Sequence, residues 1–187
     1  DSMADMVTSG LAPGIILAQL FVLAGNHPLE IFIGWPINSI VEFIPWVFIG
    51  FILPLGSAFR LARFNVTGSG KSHFIGLPTP AMAMFFGAIP LIFEHPYFIF
   101  LKPIVISNTG LILMAVLFVF LMNSNLILFS FKSFSTGTVD LVLRILIILV
   151  TPFFIGFFGL GGVGFAILFY LILNLLKISI LKIGNEP

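Results

Sequence analysis

Residues 145–176 read ILIILVTPFFIGFFGLGGVGFAILFYLILNLL, with no Asp, Glu, Lys or Arg among them. The run is longer than the roughly 20 apolar residues that cross a hydrocarbon layer of ~30 Å. Pro152 and the glycines Gly159, Gly161, Gly162 and Gly164 interrupt it, so it predicts two antiparallel helices near 139–157 and 162–181, joined by a tight turn. The same test applied outward finds charge-free stretches at 6–29, 43–59, 72–93 and 103–131. Trimmed at turn residues, these predict helices near 2–24, 44–64, 78–94 and 104–122. The expected fold class is therefore all-α: a polytopic integral membrane helical bundle of about six transmembrane helices, with 1–187 a single membrane domain.

Composition supports this reading. Of 187 residues, 59% are hydrophobic and 8% charged, and the mean hydropathy is +1.22. A soluble domain carries about 25% charged residues, so a water-exposed globular surface is excluded. No cysteine is present, which removes disulfide frameworks, thiolate zinc sites and cysteine nucleophiles. A net charge of +1 gives no basis for a nucleic-acid partner. The opening stretch carries aspartates and no basic flank, unlike a signal peptide. There is no internal repeat or heptad pattern.

The few charges set an orientation. If the helices alternate, Arg60, Arg63, Lys71, Lys132, Arg144, Lys177 and Lys182 fall on one side and only Lys102 on the other. Basic residues concentrate in cytoplasmic loops, so the first side is expected to be cytoplasmic, together with Asp1 and Asp5. The loop 25–43, with Glu30, Trp35 and Glu42, is expected on the opposite face as an interfacial segment. The expected localisation is a multi-pass protein of the cell membrane.

Asp1 and Asp5 stand at i and i+4, which places both carboxylates on one helix side about 5–6 Å apart. Acids in a membrane segment are costly and repel each other, and a divalent cation with hard oxygen ligands, Mg2+ or Mn2+, would offset both effects. The plainer alternative is a pair of acids favoured by a helix N-terminus. Spacing alone does not decide between them.

The run DSMADMVTSGLAP (Asp1 to Pro13) resembles the end of the signature of the CDP-alcohol phosphatidyltransferases, D-x2-D-G-x2-A-R, a spacer, then G-x3-D-x3-D. Asp1 and Asp5 match its last two aspartates. RLARFNV (Arg60 to Val66), FIGLPTPAMA (Phe74 to Ala83) and LMNSNLILFSFK (Leu121 to Lys132) resemble the branch of that family that transfers to serine, in the expected order and separation. The earlier half of the signature has no counterpart here, so the sequence is expected to be the C-terminal part of such a domain, with the first helices missing and no activity by itself.

The resemblance implies phospholipid biosynthesis: transfer of a phosphatidyl group from CDP-diacylglycerol to L-serine, releasing CMP, by a homodimeric membrane enzyme working on the cytoplasmic face. It implies metal-assisted chemistry with Asp1 and Asp5 as ligands and Asp5 also as the catalytic base. Candidate substrate-binding residues are Arg60 and Arg63, whose forked guanidinium groups suit phosphate or carboxylate, together with Asn65, Thr8, Ser9 and Lys132. Each has a structural alternative: snorkelling for the arginines, helix capping for Asn65, backbone bonding for Thr8 and Ser9, a solvated anchor for Lys132. Gly10 and Pro13 suggest close packing and a bend, Pro78 and Pro80 a rigid lead into the next helix, and Asp140 with Arg144 a structural ion pair. Alternative functions are a sister transferase using glycerol phosphate or inositol phosphate and, from another class, a membrane transporter subunit. A transporter predicts functional polar groups at mid-membrane, whereas these gather at one rim.

Three motifs are decoys. TGSGKS at 67–72 lacks the earlier glycine of a phosphate-binding loop and follows an apolar helix. GLGGVG at 159–164 has no βαβ context and reads as a hairpin turn. The sequon Asn65-Val66-Thr67 falls on the cytoplasmic side. His27, His73 and His95 are too scattered for a histidine metal site.

Overall fold

The computed structural model describes residues 2–25, 29–33, 39–67, 74–128 and 138–183. Helices dominate. Helix α1 (residues 2–23) is continuous but not uniform: Ser2–Met6 and Ala12–Leu23 are α-helical, and Val7–Leu11 between them is a π turn. Pro13 explains the widening, because it has no N–H to return to the preceding turn. The N–H of Ala12 donates to the Val7 carbonyl, five residues back.

A short antiparallel hairpin follows, β1 (Leu29–Ile33) with β2 (Ser39–Phe43), in the register Leu29↔Phe43 and Ile31↔Val41. Helix α2 (residues 45–67) opens as 3-10 over Pro45–Phe51 and continues as α over Ile52–Thr67. A two-residue strand β3 (Phe74–Ile75) leads to α3 (Thr79–Glu94). The chain then turns at His95 into a connector, 3-10 over Pro96–Leu101 and α over Lys102–Val105. Helix α4 (Asn108–Asn123) is capped by Ser107, whose Oγ accepts from the Gly110 N–H at 3.1 Å. Strand β4 (Ile127–Leu128) pairs back with β3, and α5 (Thr138–Phe158) and α6 (Gly162–Ile183) complete the order.

Helix α3 is the axis of the packing. Its Met82, Phe85, Phe86, Ile89 and Phe93 join Leu17, Leu20 and Phe21 of α1, Leu53 of α2, Leu111, Phe118 and Met122 of α4, and Ile167 and Leu171 of α6 in one buried cluster. Phe118 stacks on Phe85 with centroids 4.3 Å apart and meets Phe86 edge-on at 5.5 Å. Small residues bring α1 against α2: an added Cβ on Gly14 would sit 2.8 Å from the Gly50 carbonyl oxygen, and one on Gly10 would sit 3.0 Å from Ser57 Cβ. Gly10 thus has the close packing expected of it. Helix α6 meets α3 in the same way, with Gly164 against Ala88 and Ile92.

These pairings fix the direction of each helix. Gly10 lies by Ser57 and Gly14 by Gly50, so α1 and α2 are antiparallel; Gly56 lies by Val119 and Met122, and Arg63 by Asn123, so α2 and α4 are parallel. In the terminal pair, Phe154 meets both Phe165 and Phe169 at 6.1 and 6.3 Å. Along one straight helix residues fifteen apart would be more than 20 Å apart, so 145–176 folds back on itself, as Gly159 with φ +60° allows.

Helices stand at all six predicted positions, with ends shifted by a few residues. Six membrane spans are not shown. Among the described residues, three stretches are long and apolar enough to cross a membrane, Ala4–Leu23, Pro45–Val66 and Leu141–Lys177, the last of them folded back on itself, and α3 with its bent connector is a further candidate. Helices α3 and α4 have 16 residues each, a rise of about 24 Å against a hydrocarbon layer of ~30 Å. Most of α5 faces outward: Leu141, Val142, Ile148, Leu149 and Phe153 are exposed. A helix apolar all round with so little of it buried matches a lipid-facing position.

Candidate functional site

Alternation places the start of α1, the end of α2, the start of α3 and the end of α4 at one end of the bundle. Asp5, exposed, lies one turn into α1. Its carboxylate acts coulombically on Arg60 in the last turns of α2. Arg60 is half-buried, and its Nε is buried without a hydrogen-bond partner among the described residues. A buried N–H of a cation with no acceptor is costly, and an acceptor brought by a ligand relieves the cost.

Arg63 stands one turn further along but turns to a different helix. Its Nη1 donates to the Asn123 carbonyl at 3.1 Å and its Nη2 to Asn125 Oδ1 at 2.5 Å. The fork expected to take a phosphate is therefore engaged by the segment after α4, and Arg63 is a latch between α2 and that segment. Asn123 closes the same junction: its Nδ2 donates to the Gly56 carbonyl at 3.3 Å and the Val119 carbonyl at 3.0 Å, while its Oδ1 is buried with no donor among the described residues. Asn123 and Asn125 of LMNSN are not among the residues expected at the site. The signal was there, as amides clustered where an apolar helix ends.

The FIGLPTP segment reaches the same place. Gly76 N–H donates to the Leu126 carbonyl at 2.9 Å and Leu77 N–H to the Leu121 carbonyl at 3.1 Å, extending the β3–β4 pairing. Gly76 has φ +73°, and an added Cβ would lie 2.3 Å from the Met122 carbonyl oxygen, so only glycine fits. Pro78 flanks α3 with extended backbone, as a rigid lead-in should. The described parts of all four segments quoted above thus converge on one rim. An apolar groove of about 310 Å³ runs from it between α2 and α4, lined by Ile52, Val116, Val119, Phe120, Asn123 and Ser124.

The remaining candidates divide. The Thr8 hydroxyl donates to the Ala4 carbonyl at 2.9 Å, the backbone bond considered as its alternative. Ser9 is buried in the helix contact, and Asn65 is exposed at the rim. Arg144 is buried in α5; the side chain of Asp140, its expected ion-pair partner, lies outside the described residues. Asp1, Lys132 and the TGSGKS loop beyond Thr67 also lie outside them. GLGGVG forms the α5–α6 turn.

Asp1, the other acid expected to hold the divalent cation, lies outside the described residues. Among the described residues no three His, Asp or Glu side chains group to hold a metal, and Asp5, the one described acid of the expected pair, faces a cation in Arg60. No family model, curated protein or solved structure matches the chain.

Proposed function

We propose that this chain belongs to a membrane enzyme that transfers a phosphatidyl group from CDP-diacylglycerol to the hydroxyl of L-serine, giving phosphatidylserine and CMP. The observation that carries the reading is Arg60, a half-buried guanidinium beside Asp5 with its Nε lacking an acceptor. It stands where the four segments that resemble the CDP-alcohol phosphatidyltransferases meet.

In this reading Arg60 Nε donates to a phosphate oxygen of the diphosphate and holds it at the rim. Asp5 accepts the proton of the incoming serine hydroxyl as its oxygen bonds to the lipid-side phosphorus. The bond from that phosphorus to the bridging oxygen breaks, and CMP leaves with the electron pair. Arg63 keeps the Asn123–Asn125 segment against α2, and the groove beside Ile52 and Phe120 takes an acyl chain. We place the rim on the cytoplasmic face, from the distribution of Lys and Arg, and read the six helices as six crossings of a multi-pass protein.

The test is CMP release from CDP-diacylglycerol in vesicles, using the protein as encoded with any residues that precede Asp1, and serine, glycerol phosphate and inositol phosphate as acceptors. Serine-dependent release is expected. Losing one charge-assisted hydrogen bond of ~1.5–3 kcal/mol, Arg60→Gln should lower kcat/KM about 10–150-fold. Lys102→Gln, at the other end of the bundle, should leave it unchanged. Unaltered turnover in Arg60→Gln, or no CMP with any acceptor, refutes the assignment.

A further inference from the structure

Far from the rim, the connector after α3 has a geometry that a simple loop does not need. Its axis over Pro96–Val105 is bent by 103° from that of Thr79–Glu94. The corner is built into the sequence. His95 precedes Pro96 and is pushed to extended backbone, φ −77° and ψ 131°, which ends α3. The His95 carbonyl then accepts from the Phe98 N–H at 3.0 Å and starts the 3-10 turn in the new direction.

The inner side of the connector is anchored. Phe98 packs on Phe158 and Phe165 with centroids 5.2 and 4.9 Å apart, His95 meets Phe158 edge-on at 5.7 Å, and Leu101 and Val105 lie against the core. The outer side is apolar and uncovered: Tyr97 is 73%, Ile99 61%, Phe100 67% and Ile104 67% exposed. Lys102 is exposed among them. Four large apolar side chains around one ammonium suit neither water nor a dry protein contact, where a central cation would need a matching acid. They suit the boundary of a bilayer, where aromatic rings sit at headgroup depth and a lysine reaches lipid phosphate.

We infer that Pro96–Val105 lies flat in the phospholipid interface opposite the Asp5–Arg60 rim, with Tyr97, Ile99, Phe100 and Ile104 immersed and Lys102 on lipid phosphates. This rests on reading the helices as membrane spans. It turns the bend into a depth stop: α3 ends at its short length because the following segment floats at the surface.

The test places single tryptophans by Tyr97→Trp, Ile104→Trp and, as a deep marker halfway along α5, Ile148→Trp, each in the full chain with Trp35 and Trp46 changed to Phe. Vesicles of phosphatidylcholine and phosphatidylglycerol carry bromine at stepped acyl positions, and quenching gives depth. Seven residues of a continuing helix would separate positions 97 and 104 by about 10–14 Å along the normal. Turned by 103° they separate by only about 2–3 Å. Equal shallow depths at 97 and 104 with a deep 148 are expected. Depths differing by ~10 Å or more, quenching of both probes by aqueous iodide only, or shielding from both quenchers would overturn the inference while 148 stays deep. If bromine fails to reach 148, the membrane reading itself is what falls.

Discussion

Gly76 gives the sharpest test of how the rim is held together, because its substitution meets two separable obstacles. A side chain there must adopt φ +73°, and its Cβ would lie 2.3 Å from the Met122 carbonyl oxygen. The left-handed backbone costs a non-glycine residue about 1–2 kcal/mol. Overpacking against a fixed carbonyl adds about 1–3 kcal/mol. Gly76→Ala should therefore destabilise by about 2–5 kcal/mol. Two other glycines isolate the terms. Gly25 has φ +82° but nothing among the described residues within 4 Å, so Gly25→Ala should show the backbone cost alone. Gly87, inside α3, has neither obstacle, and Gly87→Ala should stabilise by about 0.5–1 kcal/mol through helix propensity. Unfolding of the purified chain in mixed micelles, followed by helical circular dichroism against denaturing detergent, ranks the three. The expected order of stability is Gly87→Ala, wild type, Gly25→Ala, Gly76→Ala. If Gly76→Ala proves no less stable than Gly25→Ala, the close approach to Met122 is wrong, and the convergence of FIGLPTP on the end of α4 with it.

Asp5→Asn in the protein as encoded should abolish CMP release while CDP-diacylglycerol still binds, and near-normal turnover would remove Asp5 from the role of base. A double-mutant cycle of Arg63→Ala and Asn125→Ala should give a coupling of about 0.5–1.5 kcal/mol, discounted because the pair is exposed, and zero coupling would remove the latch. Phe118→Ala, opening a cavity beneath Phe85 and Phe86, should cost about 3–5 kcal/mol in the same detergent titration.

How much was legible in the sequence depends on what competes with each signal. The α5–α6 turn could be read because proline and glycine stand out against an uninterrupted apolar run. The β1–β2 hairpin could not: LEIFI and SIVEF alternate only weakly, and the chain is so apolar that a period of two is hidden. The connector was missed for a related reason. The charge-free run predicts a helix near residue 104, whereas the corner at His95–Pro96 is set by a local dihedral preference. At the rim, Asp5, Arg60 and Arg63 were conspicuous as rare charges beside long apolar segments. Which acceptor each arginine meets was not, since residues sharing one helix side in projection point to two different neighbouring helices once α1 and α4 are packed around α2. The Asn123 and Asn125 contacts are long-range and exist only after that packing.

The terminal hairpin has a consequence for biogenesis. Every described contact that builds the rim lies between residues 5 and 128, and α5 reaches its neighbours chiefly through α6 and the turn between them. A chain emerging N-terminal end first therefore presents all the residues of these contacts before those of α5. The last two helices arrive as a self-paired unit that docks through Gly161 and Gly164 onto a completed α3. Until that pair docks, the flank of α3 at Ala88 and Ile92 and the inner side of the connector at Phe98 stay open.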